Sequence, residues 1–242
     1  NPLTAKGDFE KAAKNAAENT FLQLLVSFCW FHYSQAIFRN CQKHSLAIQY
    51  SINDKFRKWL KHLMCIPLLP ADLIPTAFAD LLSQNIPMPT PADRLNFARF
   101  KRYVQRTWQR GVKPENLTVF ESDHTTSNGC ETFHAKLKAW IVKHRPNFWE
   151  FMLDFFRILE YYYKQYLRLK DEGPERLTRQ NPEAQKNLTQ RRNAEALLKS
   201  KDPEKKISWI EFLEIVSHTN DSLVEKLQGD FRENKDQIID DD

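Results

Sequence analysis

Leu22-Gln23-Leu24-Leu25-Val26-Ser27-Phe28-Cys29-Trp30-Phe31-His32-Tyr33-Ser34-Gln35-Ala36-Ile37 changes period within itself. Its first part, to Phe28, is short, apolar and bounded, which suits a buried strand. From about Phe31 to Lys43 the apolar residues recur at helical spacing. Upstream, Asp8 precedes the alanine-rich helix former Phe9-Glu10-Lys11-Ala12-Ala13-Lys14-Asn15-Ala16-Ala17. An extended lead-in before Asp8, a helix, a strand and a second helix together read as an α/β segment.

Working outward, the pattern becomes helical. Residues 54–64, 71–83 and 92–110 each predict an amphipathic helix, separated by Pro67/Pro70 and by Pro87/Pro89/Pro91. In the third, Leu95, Phe97, Phe100, Tyr103, Val104 and Trp108 fall on helical spacing between Arg and Lys. Gly111 ends it. A loop is expected to about Ser127. Helical patterns follow over residues 131–142 and, past Arg145-Pro146, over residues 148–170. Residues 175–206 alternate charges with few large apolar side chains, which predicts a solvated helix or a loose extension. Residues 207–227 regain periodicity through Trp209, Ile210, Phe212, Leu213, Ile215 and Val216, as a small docking helix would. The chain ends on Asp240-Asp241-Asp242. With only five glycines in 242 residues, helices are favoured over a meander of strands, and the expected class is mostly α.

The net charge of +5 suits a polyanionic partner without requiring one. Cys29, Cys41, Cys65 and Cys130 form no CxxC pair, and no signal peptide is evident, so a reduced intracellular compartment is expected. The sequons at Asn116, Asn187 and Asn220 then read as chance matches. No apolar run is long enough to span a bilayer, so no membrane partner is expected.

Three constellations carry residue types suited to chemistry. Asp8 suits a helix N-cap or a metal ligand. Cys29-x-x-His32 is half of a zinc site in form, and equally a buried thiol beside a helix-start imidazole. Asn128-x-x-Glu131-x-x-His134 suits a capping box, or a carboxylate and an imidazole on one helix face.

In this order the three resemble the Mutator-like element transposases, DDE-type enzymes with an RNase H-like fold. The matching stretches are Gly7-Asp8-Phe9-Glu10-Lys11-Ala12-Ala13, then Cys29-Trp30-Phe31-His32-Tyr33-Ser34-Gln35-Ala36-Ile37. They continue with Thr126-Ser127-Asn128-Gly129-Cys130-Glu131-Thr132-Phe133-His134-Ala135-Lys136-Leu137, and His144-Arg145-Pro146-Asn147-Phe148-Trp149-Glu150-Phe151 extends the match. The resemblance covers roughly residues 1–165.

The resemblance implies a partial RNase H-like α/β core, residues 1–50, whose first strands and first catalytic Asp lie upstream. It further implies a helical insertion with a connecting loop over 51–126 and core helices bearing the catalytic Glu over 127–172. A polar helical extension with the acidic tail occupies 173–242. Asp8 then matches the second catalytic Asp and Glu131 the catalytic Glu, both as metal ligands. Cys29, His32, Asn128 and His134 support the site. The implied activity is strand cleavage and transfer of transposon-end DNA. It uses two Mg²⁺ or Mn²⁺ ions, and the Asp8 and Glu131 carboxylates should stand about 4–8 Å apart. Arg57, Lys58, Lys61, Arg99, Arg102 and Arg106, with Arg94, Lys101 and Arg110, are the candidate DNA contacts. A nuclear location follows, and self-association is left open. Two points depart from the family: Ser127-Asn128 stands where Asn-Asn is usual, and His124 precedes Thr125-Thr126 where an Arg is common. Two other classes compete. One is a transposase-derived module that binds DNA or a partner without cutting. The other is a helical scaffold with zinc at Cys29/His32.

Overall fold

A computed structural model of the chain describes residues 3–7, 11–21, 24–122, 125, 135, 137–141, 145–172 and 182–218. Two strands, β1 (Leu3–Gly7) and β2 (Leu24–Phe28), flank α1 (Lys11–Thr20). They pair in parallel, with Leu3 opposite Leu24 and Gly7 opposite Phe28. The helix between them is the crossover that a parallel pair requires. The α/β reading of the first residues is thus what the backbone shows. Among the described residues β1 has one strand neighbour, β2. On the other side of β2, the buried Asn116 donates its Nδ2 to the Val26 carbonyl at 2.8 Å, which closes that edge. This amide is therefore engaged inside the fold, in keeping with a chance sequon.

The rest is helical, as expected for a mostly α chain: α2 (Trp30–Lys43), α3 (Ala47–Ile52), α4 (Asp54–Cys65), α5 (Ile74–Ser83), α6 (Pro91–Val104), α7 (Pro114–Leu117), α8 (Phe148–Glu172), α9 (Pro182–Leu198) and α10 (Trp209–Ser217). Local chemistry sets the boundaries. Asn53 caps α4 by accepting from Phe56 N at 3.1 Å, and Thr90 caps α6 by accepting from Asp93 N at 3.0 Å, with Pro91 in the first turn. A reciprocal pair of bonds between Ser208 and Glu211 starts α10. Three details depart from the sequence reading. Residues 47–52 form a helix where none was expected. Residues 71–73 are a turn, and α5 begins only at Ile74, ahead of Pro75. The third amphipathic helix does not run unbroken to residue 110, because Gln105–Gln109 widen into a π turn. Gly111 then ends it, since a Cβ there would stand 2.3 Å from the Thr107 carbonyl oxygen.

The chain divides into two compact units, residues 1–126 with 187–242, and residues 127–186. The core of the first is rich in aromatics: Trp59, Tyr33, Phe38, Phe56, Phe78, Phe100 and Phe212 are all fully buried. Trp59 meets Phe97 edge-on at 5.0 Å between ring centres, and its Nε1 donates to the Leu81 carbonyl at 2.8 Å. α10 docks as expected, burying Phe212, Leu213 and Val216.

The segment expected as a solvated or loose extension is instead in part a core helix. Arg191, Ala194, Glu195 and Leu198 of α9 are buried on one face. Glu195 accepts from Arg192 at 2.9 Å and lies 3.4 Å from Arg191, and Arg191 donates to the Ser122 carbonyl at 2.9 Å. A buried stripe made half of charged residues is indistinguishable in sequence from a solvated face.

In the second unit, Asn147 and Glu150 cap α8 reciprocally, each bond 3.0 Å. Trp140 meets Tyr161 at 4.9 Å between ring centres.

Candidate active site

The carboxyl ends of β1 and β2 lie side by side, since Gly7 pairs with Phe28. In open parallel sheets this edge is where ligands bind. Asp8 follows Gly7 in the sequence and lies outside the described residues, as do Asn128, Glu131 and His134. Cys29 and His32 are described, one residue and four residues beyond β2.

The block around Cys29 is built into the core. Pro67 has no N–H to give the Leu63 carbonyl at the end of α4, which accepts instead from the Ile66 backbone N–H. The Tyr33 hydroxyl is a second donor to Leu63 O, at 2.9 Å. The Met64 carbonyl likewise accepts from Trp30 Nε1 at 2.8 Å and from the Ser34 hydroxyl at 3.4 Å. Cys29 is fully buried, and Cys41 and Cys65 are also buried free thiols. Burial alone pushes the Cys41 thiol well above its ordinary range. His32 is half-buried beside Phe31, the rings 5.5 Å apart and nearly perpendicular. Among the described residues no three of His, Cys, Asp and Glu gather as a metal site would need.

One backbone contact joins this block to the stretch singled out in the sequence. Trp30 N donates to the Thr125 carbonyl at 3.0 Å. Thr125, which directly precedes residues 126–134 in the sequence, is thereby held at the first turn of α2, just beyond β2. The approach is anchored as well: Glu195 accepts from Glu121 N at 3.3 Å, and Lys199 pairs with Glu121 at 2.8 Å. Sequence reasoning missed this anchor, whose residues were assigned to the extension.

The candidate DNA contacts separate into two groups. Arg57 pairs with Asp54 and donates to Ser51 O at 3.1 Å, capping α3, while Lys58 pairs with Glu214 on α10. Lys61 is half-buried on the same helix. Arg94 donates to Met88 O, and Lys101 to the Leu82 and Gln84 carbonyls, so both serve the fold; burial lowers the Lys101 pKa. Arg99, Arg102 and Arg106 are exposed at a spacing of three and four residues, hence on one face, and Arg110 is exposed beyond them. Arg99 and Lys43 lie near His44, whose pKa is lowered chiefly by burial and then by those cations.

No helix among the described residues is long and apolar enough to cross a membrane. Comparison with known proteins finds no matching family model, no matching curated protein and no matching solved structure.

Proposed function

We propose that this chain carries the second Asp and the catalytic Glu of a DDE-type transposase core resembling the Mutator-like elements, with an RNase H-like sheet completed by strands upstream. One observation carries the reading: Trp30 N holds Thr125 O, so Thr125, the residue that precedes the stretch 126–134 in the sequence, is tied to the start of α2 just beyond β2. Two further features agree with the reading: the parallel pair with its helical crossover, and the helical stretch between Asp8 and Glu131.

In this reading Asp8 and Glu131 hold Mg²⁺ or Mn²⁺, whose preference for hard oxygen ligands suits carboxylates. The metal supplies activation of the attacking oxygen and stabilisation of the leaving one in an in-line displacement at phosphorus. The chain's own residues provide positioning. Tyr33, Ser34 and Trp30 fix α2 against α4, and the Glu121 to Glu195 contacts fix the approach to Glu131. Arg99, Arg102 and Arg106 place a DNA strand through its phosphates, while Arg57 and Lys58 spend their charge on Asp54 and Glu214. Zinc at Cys29/His32 is the weaker assignment, because a fully buried thiol would need further ligands brought to it inside the core.

The test is nicking of supercoiled plasmid by the full-length protein with Mn²⁺, compared with Asp8→Asn and Glu131→Gln. Nicking should need the metal and vanish in both variants. Nicking that persists in Glu131→Gln removes that residue from the mechanism. DNA binding with no metal-dependent nicking in any preparation favours a module that binds without cutting.

A further inference from the structure

The π turn after α6 opens a cavity of about 490 Å³ on the first unit, a size typical of small-ligand sites. π turns inside helices are frequent at functional sites. Three elements supply one cation each to its lining: Lys14 from α1, Arg106 from the π turn and Lys113 from the residue before α7. No acidic side chain lines it.

The cations differ in depth. Arg106 and Lys113 are exposed and make no ion pair among the described residues. The Lys14 side chain is mostly buried at 18% exposure, and its ammonium donates to Asn116 Oδ1 at 2.9 Å and lies 3.5 Å from Glu18. Asn116 is itself fixed by its bond to Val26, so the β2 edge orients Lys14 through it. Behind the cations are apolar walls, the buried rings of Phe28 and Trp108 with Val112 beside them. Trp108 is held by donating to the Tyr103 hydroxyl at 3.1 Å. Gly111 lines the cavity too, where a side chain would collide with Thr107 O.

Cations at different depths before an apolar wall match a phosphate joined to a sugar and a flat ring. The cavity also lies at the end of the exposed face that presents Arg99, Arg102 and Arg106. From Arg99 to Arg106 is about 10 Å along the helix. We propose that this cavity is a phosphate site that seats one nucleotide of a DNA strand running along the Arg99 to Arg106 face. The inference rests on the DNA reading above for its ligand. Its residues are separate from the carboxylates proposed to cut.

The experiment measures binding of a fluorescein-labelled single-stranded 20-mer to the full chain by anisotropy, from 50 to 300 mM salt. Variants are Arg106→Glu with Lys113→Glu, and Lys14→Gln. Thermal melts confirm that each is folded, which two exposed, unpaired cations make the expected result for the charge reversal. The reversal should weaken binding at least tenfold and flatten the dependence of log K on log salt by about 1.4, the value for two single-strand phosphate contacts. Lys14→Gln should weaken it by a smaller factor. Wild-type affinity and slope in a folded Arg106/Lys113 variant overturn the proposal. Thymidine monophosphate or inorganic phosphate that binds at millimolar concentration, with no binding of the strand, assigns the site to a free phosphate ligand and overturns the strand. Loss of binding in the charge reversal, alongside an absence of nicking in any preparation, keeps the site and removes only the cleavage reading.

Discussion

His62 is buried in the seam between α4 and α10, and its Nε2 has no hydrogen-bond partner among the described residues. It lies on one helical face with Lys58, which pairs with Glu214, and with Cys65, whose thiol reaches Val216 O at 3.8 Å. Burial, with the nearby Lys58 ammonium, lowers its pKa to about 4 from an ordinary 6.5. The sign follows directly. Above pH 6.5 the ring is neutral folded and unfolded, and His62 costs nothing. Between pH 6.5 and 4 only the unfolded chain takes the proton, so stability falls as pH falls. Below 4 both states are charged and the loss levels off. For a full shift the loss from pH 7.5 to 5 is about 2 kcal/mol, and solvent screening at the seam trims it to about 1–2 kcal/mol. Urea unfolding at a series of pH values, for wild type and His62→Leu, measures it. Carboxylates contribute equally to both proteins and cancel in the difference. The wild type should lose about 1–2 kcal/mol more than the variant over this range. Parallel stability curves for the two proteins would refute the reasoning.

Beyond the nicking and strand-binding outcomes, two substitutions test the frame of the site. Glu195→Ala strands the buried Arg191 and releases Glu121 N, and should cost about 3–5 kcal/mol in urea unfolding. A loss below about 1 kcal/mol would mean that α9 does not anchor this segment. Tyr33→Phe removes one of two donors from the Leu63 carbonyl, which keeps Ile66 N, and should cost about 0.5–1.5 kcal/mol, read as a lowered melting temperature. Ser34→Ala should cost less, because Met64 O keeps Trp30 as a donor.

Much of the fold was legible because it follows local rules. The strand-like run before Cys29, the proline breaks and the apolar spacing of α4 and α6 each act over a few residues. What escaped reading did so for physical reasons. The π turn arises at the end of a helix whose apolar spacing continues unbroken, so no periodicity announces it. Residues 47–52 are too short to show a period.

The candidate site divides the same way. The sequence by itself determined that a strand precedes the Cys29 block, because a short bounded apolar run is written in the chain, while Asp8 and Glu131 are metal ligands only in the proposal built on the family resemblance. Tertiary structure decided the rest. It turned Trp30, Tyr33 and Ser34 into donors for the Leu63 and Met64 carbonyls at the end of α4, some thirty residues away. It tied Thr125 to Trp30 and made Arg191 and Glu195 a buried anchor. It gathered Lys14, Arg106 and Lys113 around one cavity, although they are far apart in sequence. Contacts of this kind depend on which surfaces the packed helices bring together, and no local pattern encodes that.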